Sequence, residues 1–497
     1  MLTHHPLLAP YQPSAGDPFD AVKAAHLLNR AGFGGTPQEI EHVRAIGPQA
    51  AVDELLDFPD LPAEEQNPDD VPDLSAIAGI PKTFRDLQLQ LAGKTPDEQK
   101  TLRMAFNMAN NDILMAAMQW WMNRMAHGPS PLQEKLALFW HGHFTTSAKD
   151  ERMAALMWNQ NELLRRHAAG NFGKMVHAIS RDPAMLDYLN NTQNRKEHAN
   201  ENYARELMEL FTLGIGHYSE NDVKQGARAF TGWSHDGDQY IFRAPQHDYG
   251  VKSYLGHIGD FNGDDVVNII LQTPACAPFI STEIYRWFVA DEVDPKLAEA
   301  MASILRDNNY ELRPLLRTIL SSRVFYASQT IGAQIKCPVQ LVVGSARLLD
   351  VTLPPQRAVV ATLTQMGQVP FMPPNVRGWM GGRTWINTGT IFARYNAGVW
   401  LTGGDSSGFL KGRLRAKDTK IVDSRPGGQD SVQFDPAQPA HPNGEQIVDD
   451  WLARLIQRPV DPAQRSILID ALKNRDDVRS IRNLVQLITA MPEYQLC

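Results

Sequence analysis

The chain has 497 residues, 43% hydrophobic and 21% charged, with a net charge of -8 at pH 7. That apolar content is ample for a large core and excludes overall disorder, and an acidic balance without a long Lys/Arg run speaks against a nucleic-acid or anionic-membrane surface. No apolar segment approaches the ~20 residues needed to cross a bilayer, and Cys276, Cys337 and Cys497 are too few and too widely spaced for a disulfide framework or a zinc finger.

In chain order, Met1 to Ala15 holds His4, His5 and three prolines and lacks the charged and apolar regions of a signal peptide. The expected location is therefore cytoplasmic by default, with a periplasmic one requiring co-export. Apolar residues recur at three- and four-residue steps over 20–30, 37–57, 97–127, 131–142 and 151–180, which predicts helices. Thr36-Pro37-Gln38-Glu39 and Thr95-Pro96-Asp97-Glu98 each place a cap before a proline in the first turn. Gly128-Pro129-Ser130-Pro131 ends one helix and starts another.

Residues 58–80, rich in Pro, Asp and Glu, read as a surface loop. Residues 231–256 lack helical period, and Tyr240-Ile241-Phe242 offers one short strand and a small hairpin at most. Helices resume after Asp264 and run to about Leu349. Residues 367–391 form a Pro/Gly/Trp-rich loop, and two helices near 446–457 and 462–490 close the chain. The expected fold is mainly α: a large multi-helix single domain with an irregular or β-hairpin segment near 231–256. Residues 1–402 would form the helical core with the polar site, 403–446 a Gly/Asp/Pro-rich flexible excursion, and 447–497 helices packing on the core.

Chemistry concentrates between Leu132 and Trp233. His141 and His143 flank Gly142. On a regular helix such a pair points apart, whereas at a helix end or in a turn both rings can face one metal ion. The competing reading is two capping histidines at the end of the helix. In the helix from about Asn200, which that residue would cap, Ala204, Leu207, Met208 and Phe211 make an apolar face. Glu201, Arg205 and Glu209 are four apart and can stack as ion pairs. Arg205, Glu206 and Glu209 lie off that face, either solvated or lining a polar cleft where carboxylates bind a metal or act as acid and base. Asp187, Asn190 and Asn191 suit either a hard cation or a turn.

Asp260 to Asp265 imitates the start of a calcium loop but lacks its later ligands, so it reads as a turn leading into a helix near Asp264 or Asp265. His247, Asp248 and Lys252 could move protons or bind an anion, against the plainer reading of a loop histidine bonded to a carbonyl. Arg377, Trp379, Arg383 and Trp385 could line a substrate or partner pocket, or anchor a long loop. No Walker A loop, dinucleotide-binding glycine motif, H-E-x-x-H or G-x-S-x-G elbow is present.

Taken together, these segments resemble a large bacterial family catalogued as domain of unknown function 1800. The resemblance runs from Ala25-His26-Leu27-Leu28-Asn29-Arg30-Ala31-Gly32-Phe33-Gly34 through Phe139-Trp140-His141-Gly142-His143-Phe144. It is strongest over Asn200-Glu201-Asn202-Tyr203-Ala204-Arg205-Glu206-Leu207-Met208-Glu209-Leu210-Phe211 and Ala229-Phe230-Thr231-Gly232-Trp233. It ends at Pro373-Pro374-Asn375-Val376-Arg377-Gly378-Trp379 and Trp385-Ile386-Asn387. The resemblance implies no reaction. It does imply a partner: members tend to be encoded beside proteins resembling sulfatases and alkaline phosphatases, often with an export signal.

Two functions compete on this sequence. One is a metal-assisted enzyme, a hydrolase or oxidoreductase. It would hold a divalent metal of unknown identity with His141, His143, Asp187 and Glu206, and use Glu201, Arg205, Glu206, His247, Asp248 and Lys252 in catalysis. The other is a scaffold, maturation or export companion of the sulfatase/phosphatase-like protein, docking through Arg377, Trp379 and Trp385. A third, plainer reading makes the polar cluster a buried network that sets helix register.

Overall fold

A computed structural model describes residues 5–61, 66, 71–74, 80–81, 84–150, 153–354, 356–403, 443–472 and 477–497. The fold is mainly α, with two small antiparallel hairpins. Two large buried clusters make up the core. The first gathers the early helices, the segment from Leu164 to Trp233 and the helices up to Tyr326. The second gathers the 32-residue helix Pro96–His127, the helices Pro338–Leu349 and Thr388–Leu401, and the C-terminal helices Gly444–Leu455 and Val478–Ala490.

Helix Pro131–His143 joins the two. Leu132, Leu136, Phe139 and Trp140 enter the first cluster, and Ala137 and Leu138 the second. Gln133, Glu134 and Lys135 are buried along with these apolar residues, so the helix is covered on all sides. That places its C-terminal histidines deep between the clusters rather than at a surface.

Several boundaries differ from the sequence expectation, each for a local reason. The stretch 37–57 is two helices, Pro37–Ile46 and Pro48–Leu56, because Gly47 takes φ 84 and the following proline donates no hydrogen bond. The stretch 151–180 divides into Ala154–Arg166 and Phe172–Ile179, the second capped by the Asn171 side chain accepting from Lys174 N at 3.0 Å. The 462–490 stretch holds Pro462–Leu472 and Val478–Ala490, the latter capped by Asp477. Helix Gly263–Gln272 starts where expected, capped by Asn262 with Asp265 completing a capping box. The segment near 231–256 holds two hairpins instead of one. Strand β1 (Trp233–Asp236) pairs with β2 (Gln239–Phe242), and β3 (Lys252–Tyr254) with β4 (His257–Gly259).

The expected excursion over 403–446 falls, for residues 404–442, outside the described residues, as does part of the loop 58–80. Among the described residues no helix is long and apolar enough to cross a membrane.

Candidate functional site

The motif around Asn200 does not fold as one regular helix. Asn200 Oδ1 accepts from Asn202 N at 3.0 Å, and a short helix Asn202–Glu206 follows. It passes directly into a π-helix, Leu207–Thr212, in which Leu213 N donates to Met208 O at 2.9 Å across five residues. Such widened turns are rare and recur at functional sites, since the extra residue re-aims its neighbours. Glu206 stands at the junction and lines a cleft of about 1140 Å³.

Four segments build that cleft. Helix Pro183–Tyr188 begins at Asp182, which accepts from Met185 N at 2.9 Å and from Gln160 Nε2 at 2.7 Å. Burial pushes the Asp182 carboxyl up to about 6. The helix ends in Asp187 and Tyr188, and Asn190 turns the chain at φ 57. Behind this turn, Asn191 Nδ2 donates to the carbonyls of Phe230 and Trp233, and Asn194 Nδ2 to Ala227 O at 2.8 Å. These buried amides lock the turn to the first hairpin. Strands β1 and β2 add Ser234, His235, Asp236 and Ile241, with Arg243 just beyond. The π-helix junction adds Glu206, and the loop after Phe371 adds Pro374, Asn375 and Val376.

His235 is the most constrained side chain of this wall. Its Nε2 is 2.9 Å from Asp187 Oδ2 and its Nδ1 is 2.8 Å from Gly237 O. The Gly237 carbonyl can only accept, so Nδ1 donates to it, and Nε2 stands at ion-pair distance from the Asp187 carboxylate when the ring is protonated. Asp187 Oδ1 also accepts from Thr192 Oγ1 at 3.0 Å.

Glu206 is different: among the described residues its half-buried carboxylate accepts no hydrogen bond. Burial and then the neighbouring Glu209 raise its carboxyl above the usual range, while Arg377 and Arg205 pull the other way. Glu209 is itself engaged, by Arg377 Nη2 at 3.1 Å and Tyr218 OH at 2.8 Å. The Tyr188 hydroxyl is pushed up to about 12, by burial first and then by Asp150 and Glu206, so it stays protonated.

The structure does not bring His141 and His143 to one point. The helix continues through Gly142, and the two rings leave on opposite sides. His141 lies against Trp121, Phe371 and Trp379, and its Nε2 accepts from Phe371 N at 2.9 Å. Burial pushes it down to about 4, so it is neutral. His143 lies among Phe139, Trp140, Phe144 and Phe279 and donates from Nε2 to Phe211 O at 2.9 Å. Each histidine thus fixes one wall of the cleft, His141 the loop after Phe371 and His143 the π-helix, and neither lines the cleft. Among the described residues no three His, Cys, Asp or Glu side chains cluster closely enough to hold a metal ion.

The other residues singled out in the sequence lie as follows. Arg205 is forked onto Glu220, at 2.8 and 2.9 Å, and bonded to Glu201 at 3.1 Å, outside the cleft. His247 is buried and donates from Nδ1 to Thr231 O at 2.7 Å; Asp248 is clamped by Arg228; Lys252 Nζ reaches Asp248 O, Gly250 O and Asp260 Oδ1. These three brace the second hairpin away from the cleft. Trp385 is buried and Trp379 half-buried, and Gly378 packs on the Gly142 carbonyl.

Sequence reasoning named Asp187, Asn190 and Glu206, all of which line the cleft, and missed His235, Asp150, Asp236 and Arg243. The Asp236-Gly237-Asp238 turn signal, flanked by Trp233 and Tyr240, could have revealed the hairpin that carries His235.

Comparison with known proteins finds no matching curated protein and no matching solved structure. The family model described as "Protein of unknown function (DUF1800)" matches residues 26–496, nearly the whole chain. The chain belongs to that family.

Proposed function

We propose that this protein is a hydrolase working by acid–base chemistry in the cleft, with Glu206 as the group that exchanges the proton. The observation that carries this reading is the state of Glu206: a half-buried carboxylate on the cleft wall, without a hydrogen-bond partner among the described residues, its carboxyl raised by burial and by Glu209. A raised carboxyl retains a proton closer to neutral pH, which is what a general acid needs. Asp187, which faces His235 and accepts from Thr192, adds a held carboxylate to the same cleft. The metal-assisted form of this reading loses His141 and His143 as ligands and keeps Asp187 and Glu206 on the cleft wall; among the described residues no three such side chains cluster closely enough to hold a metal ion.

The test is a hydrolase substrate screen on wild type and Glu206→Gln, together with elemental analysis of untagged, chelator-free protein. The expected result is turnover of one ester, amide or glycoside class, lowered by ~10²-fold or more in the folded variant. Equal turnover in the variant refutes the role of Glu206. Stoichiometric metal that disappears in Asp187→Asn supports the metal-assisted form.

A second reading, a companion of a sulfatase/phosphatase-like protein, draws on Met380, 82% exposed directly after the loop that borders the cleft, and on Phe392, 61% exposed on helix Thr388–Leu401. Co-purification with such a protein, lost in Met380→Asp/Phe392→Asp, supports it. Unchanged co-purification in that variant removes this surface from the reading.

A further inference from the structure

The cleft's lining differs from that of most small-molecule sites, which are largely apolar with a few polar groups. Here acids, amides and hydroxyls dominate, and their bonding capacity is mostly unspent. Asp150, Glu206 and Asp236 lie on the wall with no hydrogen bond to their carboxylates among the described residues. The Gln193 and Asn190 amides and the Tyr188 hydroxyl are likewise uncommitted, whereas other amides nearby, Asn191 and Asn194, are consumed by backbone groups. Asp150, Asn190, Gln193 and Asp236 are exposed, so their polar groups are open to whatever enters the cleft.

Charge narrows the class. The lining carries four carboxylates, Asp150, Asp187, Glu206 and Asp236. Among the described lining residues Arg243 is the one side chain with a permanent positive charge, and His235 faces Asp187 at 2.9 Å. Among the described lining residues a sulfate or phosphate ester would meet four carboxylates and the Arg243 guanidinium, with Arg377 acting on Glu206 from beside the cleft, where anion sites gather several donors or cations. Hydroxyl groups fit instead. Each can donate to a carboxylate and accept from an amide or phenol, and adjacent hydroxyls span the two oxygens of one carboxylate. The Tyr188 ring, Val376 and Pro374 supply apolar patches against which the C–H faces of a sugar ring pack. A volume of about 1140 Å³ reaches past the ~1,000 Å³ upper range of drug-sized pockets, so more than one ring can enter.

We propose that the cleft binds a neutral, hydroxyl-rich ligand of several sugar rings: an uncharged oligosaccharide. The proposal rests on the cleft being the active site. Joined to the acid–base reading, the reaction is hydrolysis of a C–O bond between rings. Glu206 gives its proton to the departing oxygen, the hydroxyl of one water joins the carbon, and the water's remaining proton restores Glu206. One water is consumed and no redox partner is needed.

Binding is measured apart from turnover. Isothermal titration and saturation-transfer NMR are run on wild type and Glu206→Gln with cellotetraose, xylotetraose, maltotetraose and chitotetraose, with a sulfated tetrasaccharide and with spermine. The expected result is binding of at least one neutral tetrasaccharide with a Kd under ~1 mM, weakened by about tenfold in folded Gln193→Ala/Asn375→Ala. Preferential binding of the sulfated sugar or of spermine overturns the proposal, as does binding of none of the six. Should Glu206→Gln fail to fold, wild type decides. Neutral-sugar binding without any turnover by wild type keeps the ligand class and refutes the hydrolase reading. Turnover of a non-carbohydrate ester that depends on Glu206, without sugar binding, does the reverse.

Discussion

The imidazole of His235 lies between the Gly237 carbonyl, to which Nδ1 donates at 2.8 Å, and Asp187 Oδ2, 2.9 Å from Nε2, so that its protonated form pairs with the aspartate on the wall of the cleft. This pair ties the end of helix Pro183–Tyr188 to the turn of the first hairpin. His235→Gln removes the imidazole that faces Asp187, whose Oδ1 keeps its bond from Thr192. The expected cost in stability is about 1–2 kcal/mol, the low end for a bond to a charged group because Asp187 is partly exposed, with loss of ligand binding in the cleft. Urea denaturation and ligand titration on the same variant check both; unchanged ligand affinity would separate this pair from the site.

His141 makes a sharper prediction, about pH. Its ring is neutral, accepts from Phe371 N, and is pushed down to about 4 by burial, whereas in the unfolded chain it titrates near ~6.5. The folded value is the lower one, so the unfolded state binds the proton more readily between these limits. Stability from this group is full above ~6.5 and is lost progressively as pH falls towards the folded value. Between pH 7.5 and 5 the expected loss is about 2 kcal/mol. Denaturant unfolding of wild type and His141→Gln at both pH values tests this; the variant should start less stable and lose less on acidification.

Arg377 and Glu209 act on Glu206 in opposite senses. Arg377→Ala removes a cation that favours the Glu206 carboxylate, so its carboxyl should titrate higher. Glu209→Gln removes the neighbouring negative charge, so it should titrate lower. Carbon-detected NMR titration of labelled glutamates reads both shifts, and a shift of the same sign in the two variants would show that the loop has rearranged instead.

Deep in the core, Glu134 accepts from Arg124 Nε at 2.7 Å, Arg165 Nε at 2.9 Å and Trp121 Nε1 at 2.8 Å. Burial alone would raise its carboxyl, but the two guanidiniums outweigh that and hold it below the usual range. Glu134→Gln leaves two buried cations short of a counter-charge, and the expected destabilisation is ~3–5 kcal/mol. Thermal unfolding checks it, and a loss under ~1 kcal/mol would mean that water or a rearranged side chain compensates.

Gly378 docks the Pro373–Trp379 loop onto the helix of His141. Its φ is 69, and a Cβ there would lie 2.3 Å from the Gly142 carbonyl. Gly378→Ala therefore strains the backbone and pushes the loop away from the helix, with an expected loss of ~2 kcal/mol or more and weaker binding in the cleft. Limited proteolysis near Arg377, compared with wild type, reports the displaced loop.

Much of this was legible in the residues themselves. The long helix Pro96–His127 begins at the capping box that Thr95 and Glu98 announce, and the strongest motif, around Glu206, does border the cleft. Its π-helix was not legible, since the apolar spacing of Ala204, Leu207, Met208 and Phe211 suits a regular turn equally well. His141 and His143 misled for a related reason. Closeness in sequence says that two rings are near, and not which way each faces once a helix runs on through the glycine between them.

Helical class, most of the helices and the family can be read from the residues alone, because helical period, caps and ordered motifs are written within a few turns of chain. The candidate site depends on packing between distant segments. Asp187, Glu206, His235 and Asn375 come from four separate segments, and what joins them is non-local: the bond from Phe371 to His141, the bond from His143 to Phe211, and the burial of one helix between two cores. A local pattern fixes which face of a helix is apolar; only packing fixes what that face meets.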